Sequence, residues 1–289
     1  MIDLFKRQPS KQGLISGGSI CVWGPKGSPG KSTLALNLAC ELAMSGKRVI
    51  LLDLDTYSAS IGSLIGIREP GPGVAAAARL VGQGRLDSDQ FLRLAIQHQV
   101  GKGVLAILTG LGSELRWPEL TAEKTRGIIS CATEHYDFVV LDVASQLESG
   151  IKHVGGVVER NAVSRTALEA SDHRIVLFSA DQLGVKRLCD SFEQMSLLAG
   201  TPILVANRLR ATALGNGARQ QVKDAVLELC DSEVRWFIPE DRSSFDRAVL
   251  DMIPLAMLKR SSAARQAIAQ FVRQTFELGD ERLSPSKLG

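Results

Sequence analysis

Apolar residues in this chain gather into short unbroken runs: 19–23, 49–52, 104–109, 138–141, 174–180, 202–206 and 234–238. A run without polar alternation marks a strand covered on both faces, as in a parallel sheet. Between the runs the apolar spacing lengthens to three or four residues, which predicts helices over 32–44, 74–81, 88–97, 121–134, 183–198 and 263–276. In the last of these, Ile268, Val272 and Phe276 share one face and fit packing against a sheet. About seven strands alternating with helices predict an α/β fold: a doubly wound, mostly parallel sheet flanked by helices.

Ligand sites in open α/β sheets lie beyond the carboxyl ends of the strands, and three strand ends carry suitable chemistry. The first run passes into Gly24-Pro25-Lys26-Gly27-Ser28-Pro29-Gly30-Lys31-Ser32 and then directly into a helix. Such a loop turns successive backbone N–H groups inward at the positive end of a helix dipole, which is a phosphate-binding layout. Lys31 is placed to reach β- and γ-phosphates and Ser32 to hold Mg²⁺ through its hydroxyl. The second run ends in Asp53 and Asp55, and YDFVVLDVAS ends in Asp142, a carboxylate at the sheet edge able to orient a Mg²⁺-bound water. A long polar connection follows over 143–172, with Gly150, Lys152, Gly155, Gly156, Arg160, Asn161 and Arg165. Connections of that length in compact domains are often functional.

Composition narrows the classes. The 34 basic and 31 acidic residues nearly balance, so bulk charge indicates neither nucleic acid nor membrane as a partner. The five cysteines, at 21, 40, 131, 189 and 230, are odd in number and widely spaced, which reads as buried small side chains in a reducing cytosol rather than a disulfide framework or zinc site. No leader sequence or bilayer-spanning run is evident, so a cytoplasmic location is expected. The N-terminal cluster Ile2, Leu4, Phe5, Lys6 and Arg7 is the one candidate for peripheral contact with a membrane.

The strict G-x-x-x-x-G-K-[ST] pattern fails at Pro25. Instead, Lys26, Gly27, Gly30, Lys31 and Ser32 resemble the deviant Walker A motif, K-G-G-x-G-K-[ST], of the MinD/ParA ATPases, with Ser28 where that family has its second glycine. The D-x-D pair, YDFVVLD, ANR and IPED follow in the family's order, so the resemblance spans 19–276. The phrases PGVAAAARL and RWPEL are closest to the CpaE/TadZ-like branch, linked to pilus localisation or described as septum-site-determining. The resemblance implies a SIMIBI-type P-loop NTPase domain over 18–278, with flexible segments at 1–17 and 279–289. ATP and Mg²⁺ are the implied cofactors. It places Gly27, Ser28, Pro29, Gly30, Lys31, Ser32 and Thr33 around the phosphates, and Asn207, Arg208 and Pro239 around the adenine. Ser32, Asp55 and Asp142 would serve the metal. Lys26, Lys31, Asp55 and Asp142 would serve hydrolysis, Lys26 by crossing to the ATP of a second copy.

The expected partners are a second copy of the chain and a protein of a pilus, secretion or division assembly. The family's switch after the Walker B aspartate usually contains Pro or Gly, whereas this chain has Val143, Ala144 and Ser145. That departure bears on the hydrolysis rate more than on nucleotide binding, and keeps open a nucleotide-binding scaffold with little turnover. A metabolic ligase on the same fold is a further alternative, as is a DNA-binding role of the ParA kind.

Overall fold

The structure is a computed structural model that describes residues 14–67, 71, 73–149, 159–196, 200–210, 215, 217–258 and 261–278. The expected N-terminal cluster, the tail from 279, and Gly150, Lys152, Gly155 and Gly156 of the long connection lie outside the described residues. The strands are β1 (Gly18–Trp23), β2 (Val49–Asp53), β3 (Ile96–Val100), β4 (Gly103–Leu108), β5 (Phe138–Asp142), β6 (His173–Ser179), β7 (Ile203–Leu209) and β8 (Trp236–Pro239). They form one eight-stranded sheet in the order β3-β4-β2-β5-β1-β6-β7-β8. All neighbours run parallel except β3 and β4.

The helices are α1 (Lys31–Met44), α2 (Ile61–Leu64), α3 (Gly73–Gly82), α4 (Ser88–Leu94), α5 (Ala122–His135), α6 (Ala162–Ala170), α7 (Gln182–Ser196), α8 (Ala218–Cys230), α9 (Arg242–Asp251) and α10 (Ala263–Thr275). Two core layers sandwich the sheet. Along β1, Ile20 and Val22 join one layer with α1 and α10, while Cys21 and Trp23 join the other with α5, α6 and α7. That alternation follows from the two-residue period of a strand. The doubly wound expectation holds, with one strand more than the apolar runs indicated.

The extra strand is β3. Its sequence IQHQV has an alternating, half-exposed pattern, so it carries no continuous apolar run, and α4 stops at Leu94 rather than extending to Gln97. As the terminal, antiparallel strand it needs only one buried face. A second correction concerns cysteine: Cys189 of α7 and Cys230 of α8 are joined by a disulfide, with Cα atoms 5.9 Å apart. Spacing along the sequence carries no sign of this, because the fold brings together residues 41 apart.

Two side-chain contacts fix the frame around the sheet. Asp172 accepts hydrogen bonds from the Ser19 backbone N–H at 2.8 Å and from its hydroxyl at 2.7 Å. Buried Asn37, in mid-α1, donates to the Thr33 carbonyl and accepts from the Ala256 N–H, each at 2.7 Å. The Ala256 donor is itself buried, so removing its acceptor leaves an unsatisfied N–H, a penalty of about 1–3 kcal/mol. Asn37→Ala is expected to lower the unfolding free energy by roughly that amount with little change in the urea m-value; a midpoint equal to the parent's in urea titration would refute the assignment.

Candidate functional site

The site is built where β1 ends at the centre of the sheet. Gly27 and Gly30 take left-handed backbone angles, φ 78° and 96°, and Gly30 is the residue that opens α1. Ser28, in place of the second glycine, is not among the positive-φ residues, so the serine is accommodated without strain. It is buried, and its backbone N–H closes a turn onto the Pro25 carbonyl at 3.0 Å. A Cβ on Gly24 would lie 2.2 Å from the Leu177 carbonyl oxygen, so β6 presses directly on the loop.

Two neighbours brace this loop from the β7 side. The Asn207 amide donates to the Pro29 carbonyl at 2.9 Å, and Arg187 of α7 donates to the Gly27 carbonyl at 3.3 Å. Arg208 follows Asn207 with φ 57°, exposed to solvent. Pro239 ends β8 and lines an outer groove of about 610 Å³ with Leu209, Arg219 and Trp236.

Opposite the loop lie the acids. Register pairs Asp53 of β2 with Asp142 of β5, and Val22 of β1 with the same Asp142. Asp142 is fully buried and neither of its carboxylate oxygens has a hydrogen-bond partner. Burial raises its pKa well above the ordinary carboxylate value and Asp53 adds to the rise, while Ser32 and Lys31 oppose it. Asp53 is buried too, and burial lifts it to about 7, with the backbone N–H of Ile61 pulling the other way. Its Oδ2 accepts from the N–H groups of Ser60 and Ile61 at 3.0 and 3.1 Å, so Asp53 caps α2. Asp55 is half-buried, and its Oδ1 holds a turn through the N–H groups of Tyr57 and Ser58 at 2.8 and 2.9 Å.

The segment after β5 supplies contacts that sequence reasoning missed. Lys31 donates to the Ser145 hydroxyl at 2.8 Å, while the Trp23 indole N–H anchors the Ser145 carbonyl at 3.2 Å. Lys26 pairs with Glu148 at 2.6 Å, both side chains being more than half exposed. Asn161 donates to the Glu148 carbonyl at 2.9 Å and accepts from the Tyr57 hydroxyl at 2.7 Å. The Arg160 guanidinium stacks 3.8 Å above the Tyr57 ring. Both loop lysines are thus held by one segment, and that segment is tied to the turn after Asp55. Ser145, Glu148, Arg160, Asn161 and Arg165 all sit in the 143–172 connection whose length already marked it, and Ser145 also belongs to the departure from the family's switch; Tyr57 and Arg187 had no signal of their own.

Among the described residues no group of three or more His, Cys, Asp or Glu side chains forms a self-sufficient metal cluster. Mg²⁺ commonly takes one or two carboxylates plus phosphate oxygens. An orphaned buried carboxylate near a helix-start serine fits that usage. A cradle of N–H groups, two lysines and a waiting carboxylate together suit a Mg²⁺-bound polyphosphate.

Comparison with known proteins agrees. The chain is 33% identical over 143 residues to the iron-sulfur cluster carrier protein of Aquifex aeolicus, covering 48% of this chain but only 34% of that protein. It is 24% identical over 216 residues to the septum site-determining protein MinD of Bacillus subtilis, covering 74% and 73% of the two chains. MinD from Pyrococcus horikoshii, solved with Mg-ADP, superposes with a TM-score of 0.67 at 18% identity, covering 89% of this chain and 94% of that one. The model of the CobQ/CobB/MinD/ParA nucleotide binding domain matches residues 20–254, and the chain belongs to that family.

Proposed function

We propose that the chain is a MinD/ParA-like ATPase. It binds ATP with Mg²⁺, pairs with a second copy so that nucleotide lies between them, and positions a partner assembly of the pilus, secretion or division kind. The observation that carries this reading is the facing of the Gly27–Gly30 cradle and Lys31 by Asp142, a buried carboxylate with no partner. Left alone such a charge is costly, and a cation beside a triphosphate resolves it. Residues 18–278 act as one nucleotide-binding domain in this proposal.

When bound, Mg²⁺ supplies charge neutralisation on the phosphates. Ser32 and Asp142 would hold it, with Asp55 nearby. The backbone of residues 27–33 and Lys31 hold the phosphates, and Asn207 with Arg208 and Pro239 serve the adenine side. For Lys31 to reach a phosphate it must leave the Ser145 hydroxyl, and the 145–148 segment loosens with it.

Lys26 is then free to leave Glu148. An ion pair this exposed contributes about 1 kcal/mol at most, so the lysine is cheaply redirected to a second copy's nucleotide. The neutral run Val143-Ala144, fully buried and followed by the pinned Ser145, supports slow turnover that depends on a partner. The scaffold alternative, with negligible hydrolysis, rests on the same observation, and phosphate release with and without candidate partners separates the two. Among the described residues no helix is long and apolar enough to cross a membrane, and the N-terminal cluster that is the candidate for peripheral contact lies outside them.

Loss of Lys31 removes charge-assisted bonds of roughly 1.5–3 kcal/mol, so Lys31→Ala is expected to weaken Mg-ATP binding about 10- to 100-fold by calorimetry; undiminished affinity refutes the site. Lys26→Ala should keep that affinity and lose ATP-dependent pairing in light scattering, and a dimer of unchanged strength counts against the crossing lysine. Asp142→Asn should abolish Mg-dependent phosphate release yet stabilise the nucleotide-free chain at pH 8 by on the order of 1–3 kcal/mol. The sign follows from linkage: the folded-state pKa is raised, so the native state binds the extra proton and parent stability climbs as pH falls from 8. The gap between variant and parent melting temperatures therefore narrows toward pH 6, and a gap that stays constant or widens sinks the argument.

A further inference from the structure

We propose that Cys189 and Cys230 form a reversible, redox-responsive brace on the phosphate loop, an inference that rests on the nucleotide-binding reading above. The bond joins α7 to the last residue of α8. Both helices lie against the core layer that contains Leu188, Val222 and Val226. The chain enclosed between the two cysteines includes β7 with Asn207, whose amide holds Pro29. Arg187, two residues ahead of Cys189 on α7, holds Gly27. Of the two hydrogen bonds that grip the phosphate loop on this side, one therefore comes from α7, which the bond ties directly, and the other from β7, inside the 41-residue stretch that the bond closes.

Of the three free cysteines, Cys131 on α5 is half-buried but joined to no other, and the remaining two sit in the core. Cys21 and Cys40 are fully buried, and burial pushes both thiols far above the usual thiol range, which suppresses the thiolate needed for exchange. Cys189 and Cys230 are each only half-buried, so a small disulfide or dithiol can reach them. The exchange is balanced with glutathione disulfide as oxidant. One cysteine thiolate attacks a glutathione sulfur, forming a mixed disulfide and releasing one glutathione thiolate. The second cysteine thiolate attacks the protein sulfur of that mixed disulfide and releases the other. The pair loses two electrons, the oxidant gains them, and the two protons pass to the departing glutathiones. Excess dithiol reverses both steps.

Closing the bond limits how far α7, with Arg187, can move relative to α8, so the loop is met by the nucleotide in a prearranged form. Preorganisation raises affinity by reducing the ordering needed on binding. The test uses the full chain equilibrated in glutathione disulfide or in excess dithiothreitol. Thiol titration in denaturant should count three free thiols in the first and all five in the second. A fluorescent ADP analogue with Mg²⁺ should bind the oxidised form roughly three- to ten-fold more tightly. Cys189→Ser and Cys230→Ser should give the reduced-state affinity in both buffers, with melting curves confirming that they fold.

Five free thiols after oxidation, or equal affinity in the two forms, overturns the brace. Variants that still respond to the oxidant overturn it as well. Absence of binding in either form, with Lys31→Ala indistinguishable from the parent, instead removes the nucleotide reading itself and the brace's role with it.

Discussion

The centre of this molecule is shaped by a charge that the sheet does not satisfy. Register places Asp142 beside Asp53 at the carboxyl edge, both withdrawn from water. Asp53 recovers part of the cost through two backbone N–H groups at the start of α2. Asp142 makes no such bond, and only the nearby Ser32 hydroxyl and Lys31 charge offset its burial. A buried, unpaired carboxylate is among the more expensive features a fold can keep, and proteins that sit just above their stability threshold retain such features where activity needs them. Around it are the features that make sense of a cation bound to an anion: the opening turn of α1, its two left-handed glycines, and a lysine on the far side of the loop.

The same constraint organises the segments that would move. Val143 and Ala144 are buried immediately beyond Asp142, and Ser145, the first residue with some exposure, is held by Lys31 and Trp23. From there four residues make contact with both loop lysines and, through Asn161 and Tyr57, with the turn that Asp55 holds. In the proposed ATPase, a change at the phosphates would therefore reach both segments through contacts that are individually weak. Weak links suit this purpose, since an exposed ion pair and a single hydroxyl contact are broken without large cost. A hydrophobic clasp in the same place would resist it.

How much of this was legible depended on the kind of physics involved. Strands buried on both faces announce themselves as apolar runs, and the glycine-lysine-serine turn between a strand and a helix announces its loop. Asp142 followed from the same reasoning, because a strand end fixes a residue at the edge. β3 escaped because a terminal strand needs no continuous apolar run, and its alternating IQHQV extended a helical pattern instead. The Cys189–Cys230 bond, Glu148 against Lys26 and Arg187 against Gly27 escaped for another reason. Each joins residues more than 40 apart or more than 100 apart, and nothing local records the pairing. Asn207 was placed near the nucleotide by resemblance, and its amide is found on the loop carbonyl of Pro29, a contact that only the assembled sheet creates.

At the edge of the sheet remote from the loop, Ile15 lies beside Phe276: its N–H reaches the Thr275 carbonyl at 2.9 Å and its carbonyl takes the Glu277 N–H at 2.8 Å. The outgoing and incoming ends of the described chain are thus tied together behind β1, whose six residues put about 20 Å of strand between that junction and the glycine-rich turn. Tethers attached on either side of the junction would share one point of departure. A linker, tag or docking module grafted there pulls on the rear of the domain along the strand axis, leaving the opposite rim, with the glycine-rich turn, unobstructed.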